Sequence, residues 1–345
     1  MRIDPNSFLS LLIGVVFLLP VLLLLGSGIA AVAFGWYLLY HPGAFGWRNS
    51  WRQLLKWEVV TPDAAYPDLL EEFSRSRDII LSSAMIGLGL AVVLFVCGGL
   101  ALVWIAPSTA SGTFVVDMIR QLFLPALFLS FLAGYGLGYL YGVWRLRRLT
   151  AREPTYGDLQ PRTLSDYRSV VFPLIAAVLT MGVALITLIM WPHLEAGVPL
   201  DLGDGITRSV APAWFLWTLP AAMLLTLIVG EILLGQIARL PRLLLTHQPA
   251  SAQRADNLLR ALAIGALQGY ELNVIGSFGI VHGLLISMGL WHSGFWRLGV
   301  RPLSPVLDTW YWFAAIVVIA GFLLPACAGR IGGRIAGWPW RPARV

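Results

Sequence analysis

A hydrophobic two-helix unit appears three times in tandem in this chain, and each copy closes on the same arginine punctuation. The closings read Trp144-Arg145-Leu146-Arg147-Arg148, Ala238-Arg239-Leu240-Pro241-Arg242 and Gly329-Arg330-Ile331-Gly332-Gly333-Arg334. A glycine (Gly136, Gly230, Gly321) stands nine residues before the first of those arginines, and an aspartate (Asp78, Asp166, Asp256) stands at the entry to each copy. The first long apolar run of each copy finishes on a tryptophan: Trp104, Trp191 and Trp291. Agreement at four separate marks restricts the fold to three consecutive helical hairpins preceded by one extra segment.

Apolarity places those hairpins in a membrane. Of 345 residues, 58% are hydrophobic and 12% charged, against roughly 25% charged in soluble domains. Several runs exceed the ~20 apolar residues that cross a ~30 Å hydrocarbon core. The fold class is an all-α integral membrane protein of about seven transmembrane helices, one leading helix plus three tandem hairpins. Spans are expected over residues 8–40, 79–106, 114–144, 170–191, 211–237, 258–291 and 306–328. The organisation is then a leading helix (1–40), an amphipathic segment (41–78), repeats at 79–148, 166–242 and 256–334, and a basic tail (335–345).

The leading run admits a second reading. Pro20 and Gly26-Ser27-Gly28 could break it into a re-entrant pair, which would give eight crossings. A cleaved secretory signal fits less well, because the run far exceeds the apolar core of such a signal.

Orientation follows from 23 arginines and the single Lys56, which against 18 acidic residues leave a net charge of +6. Arg145, Arg147, Arg148, Arg152, Arg162 and Arg168 lie between the first two copies, and Arg239, Arg242, Arg254 and Arg260 between the next two. The tail adds Arg330, Arg334, Arg341 and Arg344, whereas the turns within copies hold only Arg120, Arg208, Arg297 and Arg301. The positive-inside bias makes the arginine-rich segments and the C-terminus cytoplasmic in a bacterial-type inner membrane. With the arginines accounted for by topology, no nucleic-acid partner is expected.

Aromatic residues agree with these depths. Trp104, Trp191, Trp291, Trp214, Trp217, Trp310 and Trp312 mark the outer ends, and Trp36, Trp47, Trp51, Trp57 and Trp144 the inner side, as an interfacial belt requires. Within residues 41–78, Trp47, Trp51, Leu54, Leu55 and Trp57 have the spacing of an amphipathic helix lying in the headgroup layer. Glycines spaced four apart (Gly134, Gly138 and Gly142; Gly265 and Gly269; Gly279 and Gly283) predict close helix contacts, chiefly within the protein.

Ionisable residues inside spans are the candidates for chemistry, because the bilayer penalises each of them. Asp117 and Arg120 share a helix face near the outer edge and read as a structural pair. Glu231 falls in the inner leaflet, eight residues before Arg239, and Gln268, Glu271 and Asn273 form a polar collar expected at the inner edge. His282 lies near the middle of the sixth span, eleven residues from Glu271 and hence on nearly the same face. It could serve as a neutral core histidine, a proton relay or the axial ligand of a tetrapyrrole. A bis-histidine haem lacks its second ligand, since His41, His193, His247 and His292 fall at ends or in loops.

The sequence holds no phosphate-binding glycine loop, no His-Glu-x-x-His and no paired cysteine motif. Cys97 and Cys327 read as isolated packing residues. An enzyme is therefore not expected, and two function classes stand. One is a non-catalytic membrane subunit packed against lipid and other membrane subunits in a larger complex. The other is a permease or channel component for a small or lipophilic solute, with Glu231 and Glu271 as gate residues. Transporters commonly use inverted repeats and broken helices, whereas these copies share one orientation, which favours the subunit. The topology is testable: a cysteine at Gly197 should react with an impermeant thiol reagent on intact cells, and one at Ser251 only after permeabilisation.

Overall fold

The computed structural model describes residues 5–41, 67–105, 110–150, 164, 167, 171–193, 198–199, 210–241, 243–244, 249–292 and 304–327. Among the described residues, seven long helices carry the fold: α1 (Pro5–Tyr40), α2 (Pro67–Ile105), α3 (Ala110–Thr150), α4 (Val171–Met190), α5 (Phe215–Arg239), α6 (Pro249–His292) and α7 (Ser304–Cys327). Six of them contain stretches long and apolar enough to cross a membrane, and α7 adds the shorter apolar stretch Thr309–Leu323. Between α4 and α5, two-residue strands β1 (Val198–Pro199) and β2 (Val210–Ala211) pair antiparallel, and β1 rests on α6.

Helix limits follow local chemistry. α1, α2 and α6 each begin on a proline, whose fixed φ suits the first helical position and whose missing N–H costs nothing there. Asp68 lies in the first turn of α2, and Arg147 and Arg148 lie in the last turn of α3, each charge opposing the helix dipole at its end. α1 is one continuous helix of 36 residues through positions 20 and 26–28, so the leading segment forms no re-entrant pair. α2 starts at Pro67, which makes residues 67–78 helical turns continuous with the membrane span. The rest of the proposed amphipathic segment, Asp166, His247 and the 335–345 tail lie outside the described residues.

α1 and α2, α2 and α3, and α6 and α7 run antiparallel, and these contacts are made through glycine. Gly28 on α1 meets Gly89 and Val92, while Gly35 meets Ser82 and Ile86 further along α2. On α3, a methyl group added to Gly134, Gly138 or Gly142 would strike the α2 backbone or side chains at Gly87 and Ala91, at Ser83 and Ala84, or at Ile80 and Ser83 respectively. The stripe predicted from four-residue spacing is thus consumed inside the chain, where backbone-to-backbone approach replaces the absent hydrophobic drive. The stripe on α6 behaves likewise: Gly276 and Gly279 lie against Ala314 and Val318 of α7, and Gly283 against Tyr311.

α6 takes the central position. It touches α3, α4, α5 and α7, which leaves most of its length without a lipid-facing side. Two apolar clusters pack around it: one contains its residues from Ala252 to Leu267, the other those from Leu272 to Ile286. The outward faces of the surrounding helices carry Leu94, Leu137, Leu174, Met181, Leu225 and Ile319 among other exposed apolar residues, as a lipid-facing surface demands.

Gly138→Leu should lower the melting temperature in detergent far more than Gly99→Leu. The first side chain would be forced into the Ser83 carbonyl and Ala84 Cα, while nothing lies within 4 Å of the second; overpacking of this kind costs about 1–3 kcal/mol.

Candidate functional site in the bundle core

α6 carries a run of fully buried polar residues. Gln268, Glu271, Asn273, Ser277 and His282 are each no more than 3% exposed. Gln268, Glu271 and Asn273 fall at the seam where one apolar cluster ends at Leu267 and the other begins at Leu272. One turn separates Gln268 from Glu271, so both lie on the same side of the helix.

The three equivalent glycines of the repeats converge on this seam. Gly136 of α3 faces Leu267 and Leu233, Gly230 of α5 faces the Glu271 carboxyl, and Gly321 of α7 faces the Asn273 amide and the Gly269 carbonyl. A Cβ at Gly230 would sit 2.9 Å from the Glu271 carboxyl carbon, closer than packed atoms approach. The absent side chain is what admits the carboxyl between α5 and α6. Gly265 and Gly269 are themselves buried in α6.

Glu271 and Asn273 point to different neighbours. The former meets α5, while Asn273 lies against α7, where its Oδ1 has no hydrogen-bond partner among the described residues. Ser277 Oγ, a turn further on, is likewise without one. Buried polar atoms left unsatisfied are uncommon and call for an explanation.

Glu231 and Glu271 stand at one level of the bundle. Gly230 stands nine residues before Arg239, the last residue of α5, or about 13 Å by helical rise. Glu271 sits level with Gly230, whose added Cβ it would meet, and α6 begins at Pro249, two turns before the expected start at residue 258. Glu231 is level with it but only half-buried on α5. The α5 residue that faces the seam is its neighbour, Gly230.

His282 is held by one specific contact. Its Nε2 lies 2.6 Å from Thr187 Oγ1 on α4, and that hydroxyl donates to the Val183 carbonyl at 2.9 Å. One hydroxyl proton cannot serve both, so with it on Val183 the ring donates from Nε2. The Nε2 atom is thereby engaged by Thr187, and the ring stands as a hydrogen-bonded core residue. Among the described residues no three His, Cys, Asp or Glu side chains gather as a metal site.

A buried ion pair at the arginine-rich end escaped sequence reasoning. Arg260, counted from sequence as a loop charge, is fully buried within α6 and bonds Asp256 Oδ2 through Nε and Nη2 at 3.2 and 3.1 Å. It also donates to the Ile237 carbonyl at 3.1 Å and the Pro241 carbonyl at 2.6 Å, while Asp256 Oδ1 accepts from the Leu243 N–H at 3.0 Å. The pair therefore caps the orphan carbonyls at the end of α5 and fixes the turn into α6. The i,i+4 spacing of Asp256 and Arg260 was the available signal. Nearby, the Tyr167 hydroxyl donates to Asn257 Oδ1 at 3.0 Å and joins the second copy's entry to the third. The first copy's aspartate, Asp78, is also buried and pairs with Arg77 at 2.8 Å. At the opposite end, Asp117 and Arg120 form the expected pair at 3.8 Å, with Arg120 largely exposed.

No known family model matches this sequence, and comparison with curated proteins and with solved structures returned no match.

Asp256→Ala should destabilise the protein by about 3–5 kcal/mol, the cost of stranding a buried guanidinium. Combining it with Arg260→Met should restore much of the loss. Thermal unfolding of the three purified proteins in one detergent would measure this, and a double variant no better than the single would refute it.

Proposed function

We propose that this chain is a non-catalytic, polytopic membrane protein of the permease or channel type, with Glu271 as its proton-exchanging gate. The observation that carries this reading is a carboxyl 2% exposed, lodged on Gly230 at the seam between two apolar clusters. Ionisable groups in the hydrocarbon zone are costly, and those that persist mark ion or proton pathways more often than packing. Asn273 Oδ1 and Ser277 Oγ supply further polar atoms on the same helix.

The competing assignment, a scaffold subunit of a larger complex, drew on the shared orientation of the copies and on a hydrocarbon zone nearly free of charge and rich in glycine stripes. Contacts within the chain account for the stripes on α3 and for Gly279 and Gly283 on α6, which weakens it. The setting remains a bacterial-type inner membrane with the arginine-rich end cytoplasmic.

The test uses proteoliposomes of the full chain enclosing a pH-sensitive dye, with proton entry driven by a potassium diffusion potential. Wild type should exceed empty liposomes, and Glu271→Gln should lose at least about tenfold of the excess flux while retaining the wild-type melting profile, since an amide exchanges no proton. Glu231→Gln, displaced from the seam, should retain it. Wild-type liposomes no leakier than empty ones, or an active Glu271→Gln protein, would return the scaffold subunit to first place.

A further inference from the structure

The lipid-facing side of α3 changes character over three turns at its arginine-rich end. Leu137, Tyr141 and Trp144 are exposed, and Arg148 follows them. Their spacings of four, three and four residues hold them on one face of the helix, and Arg145 adjoins it. The eleven residues from Leu137 to Arg148 rise about 16 Å, close to half of a ~30 Å hydrocarbon core. One helix face thus offers an apolar, then aromatic, then cationic surface over the depth of one leaflet.

The cationic end is organised in advance. The Arg148 guanidinium carbon lies 3.8 Å from the centroid of the Trp144 ring, a cation–π contact that restrains a long side chain. Tyr141 also packs against that indole, with ring centroids 5.6 Å apart. Among the described residues no carboxylate pairs with Arg145 or Arg148. Arg148 is exposed and Arg145 half-buried at this end of the span, where the positive-inside assignment would put headgroup phosphates. Guanidinium groups suit phosphate oxygens because two parallel N–H donors match them.

We propose that this face binds an anionic phospholipid. Arg148 and Arg145 hold the headgroup phosphate, and the Tyr141 and Leu137 side chains line one acyl chain. The occupant is assigned by charge complementarity together with the apolar continuation of the face, which an acidic protein segment would leave uncovered. The site is independent of Glu271 and of the gating assignment.

Native mass spectrometry and thermal unfolding of the purified full chain would decide it, with phosphatidylglycerol and phosphatidylcholine added in parallel. The wild type should retain phosphatidylglycerol preferentially and melt at higher temperature in its presence. Arg148→Gln should weaken that binding about fivefold, the fold-change expected for one basic residue at a membrane surface. Trp144→Leu should weaken it also, because the apolar bulk stays while the face that orders Arg148 is gone. Arg120→Gln, which removes the same charge at the far end of α3, should bind as wild type does. Inorganic phosphate at millimolar concentration should not compete, since it lacks the chain. Equal retention of both lipids, undiminished binding by Arg148→Gln, an equal loss in Arg120→Gln or full competition by phosphate would each overturn the proposal.

Discussion

The architecture depends on how closely other helices approach α6. In hydrocarbon, helices gain little by hiding apolar side chains from lipid, so association relies on van der Waals contact and interhelical hydrogen bonds. Gly136, Gly230 and Gly321 let α3, α5 and α7 reach α6 over a short stretch between Leu267 and Asn273. That approach seals α6 from lipid and makes it tolerable for one helix to carry Gln268, Glu271, Asn273 and His282. The three glycines occupy equivalent places in the three copies. Repetition thereby produces a ring of close contacts around the first helix of the last copy.

The second constraint is the buried Asp256–Arg260 pair. A buried ion pair gives little net stability, because desolvation offsets most of the attraction. Its effect here is positional. Five guanidinium donors in a fixed fork tie α6 to the last carbonyls of α5 and to Pro241, and so set the depth at which Gly230 meets Glu271. Tyr139 of α3 lies within electrostatic range of the same pair, which brings three elements to one junction.

Much of the architecture was legible because membrane helices announce themselves by length and apolarity, and because the copies share marks. The Gly134, Gly138 and Gly142 stripe, visible from its four-residue spacing, lies against α2. Burial was harder to read. Arg260 resembles any other cytoplasmic arginine until the turn after α5 folds back to supply carbonyls, and nothing in a local window reveals those partners. The centrality of α6 did leave a trace: it is the least apolar of the six spans and the most deeply enclosed. A helix that need not face lipid can afford polar residues, so low hydropathy marks the core of this bundle and not its edge. The partner of His282 was invisible for a related reason, since Thr187 lies 95 residues away on a parallel helix.

Spacing along α6 bears on how Glu271 could act. Arg260, Glu271 and His282 recur every eleven residues, three helical turns, which holds all three near one side of the helix at separations of about 16 Å. A proton cannot cross such a gap directly; transfer needs groups within hydrogen-bond reach or a bridging water. Ile264 and Ile275, both fully buried, occupy the intervals, so the line is interrupted by apolar packing on both sides of the carboxyl. Under the proposed gating role, exchange at Glu271 would require the helices around the seam to part far enough to admit water. Glycine contacts permit that motion better than interlocked side chains would, because smooth backbone surfaces can slide without repacking. The close packing that conceals Glu271 and the mobility that would expose it thus arise from the same three residues.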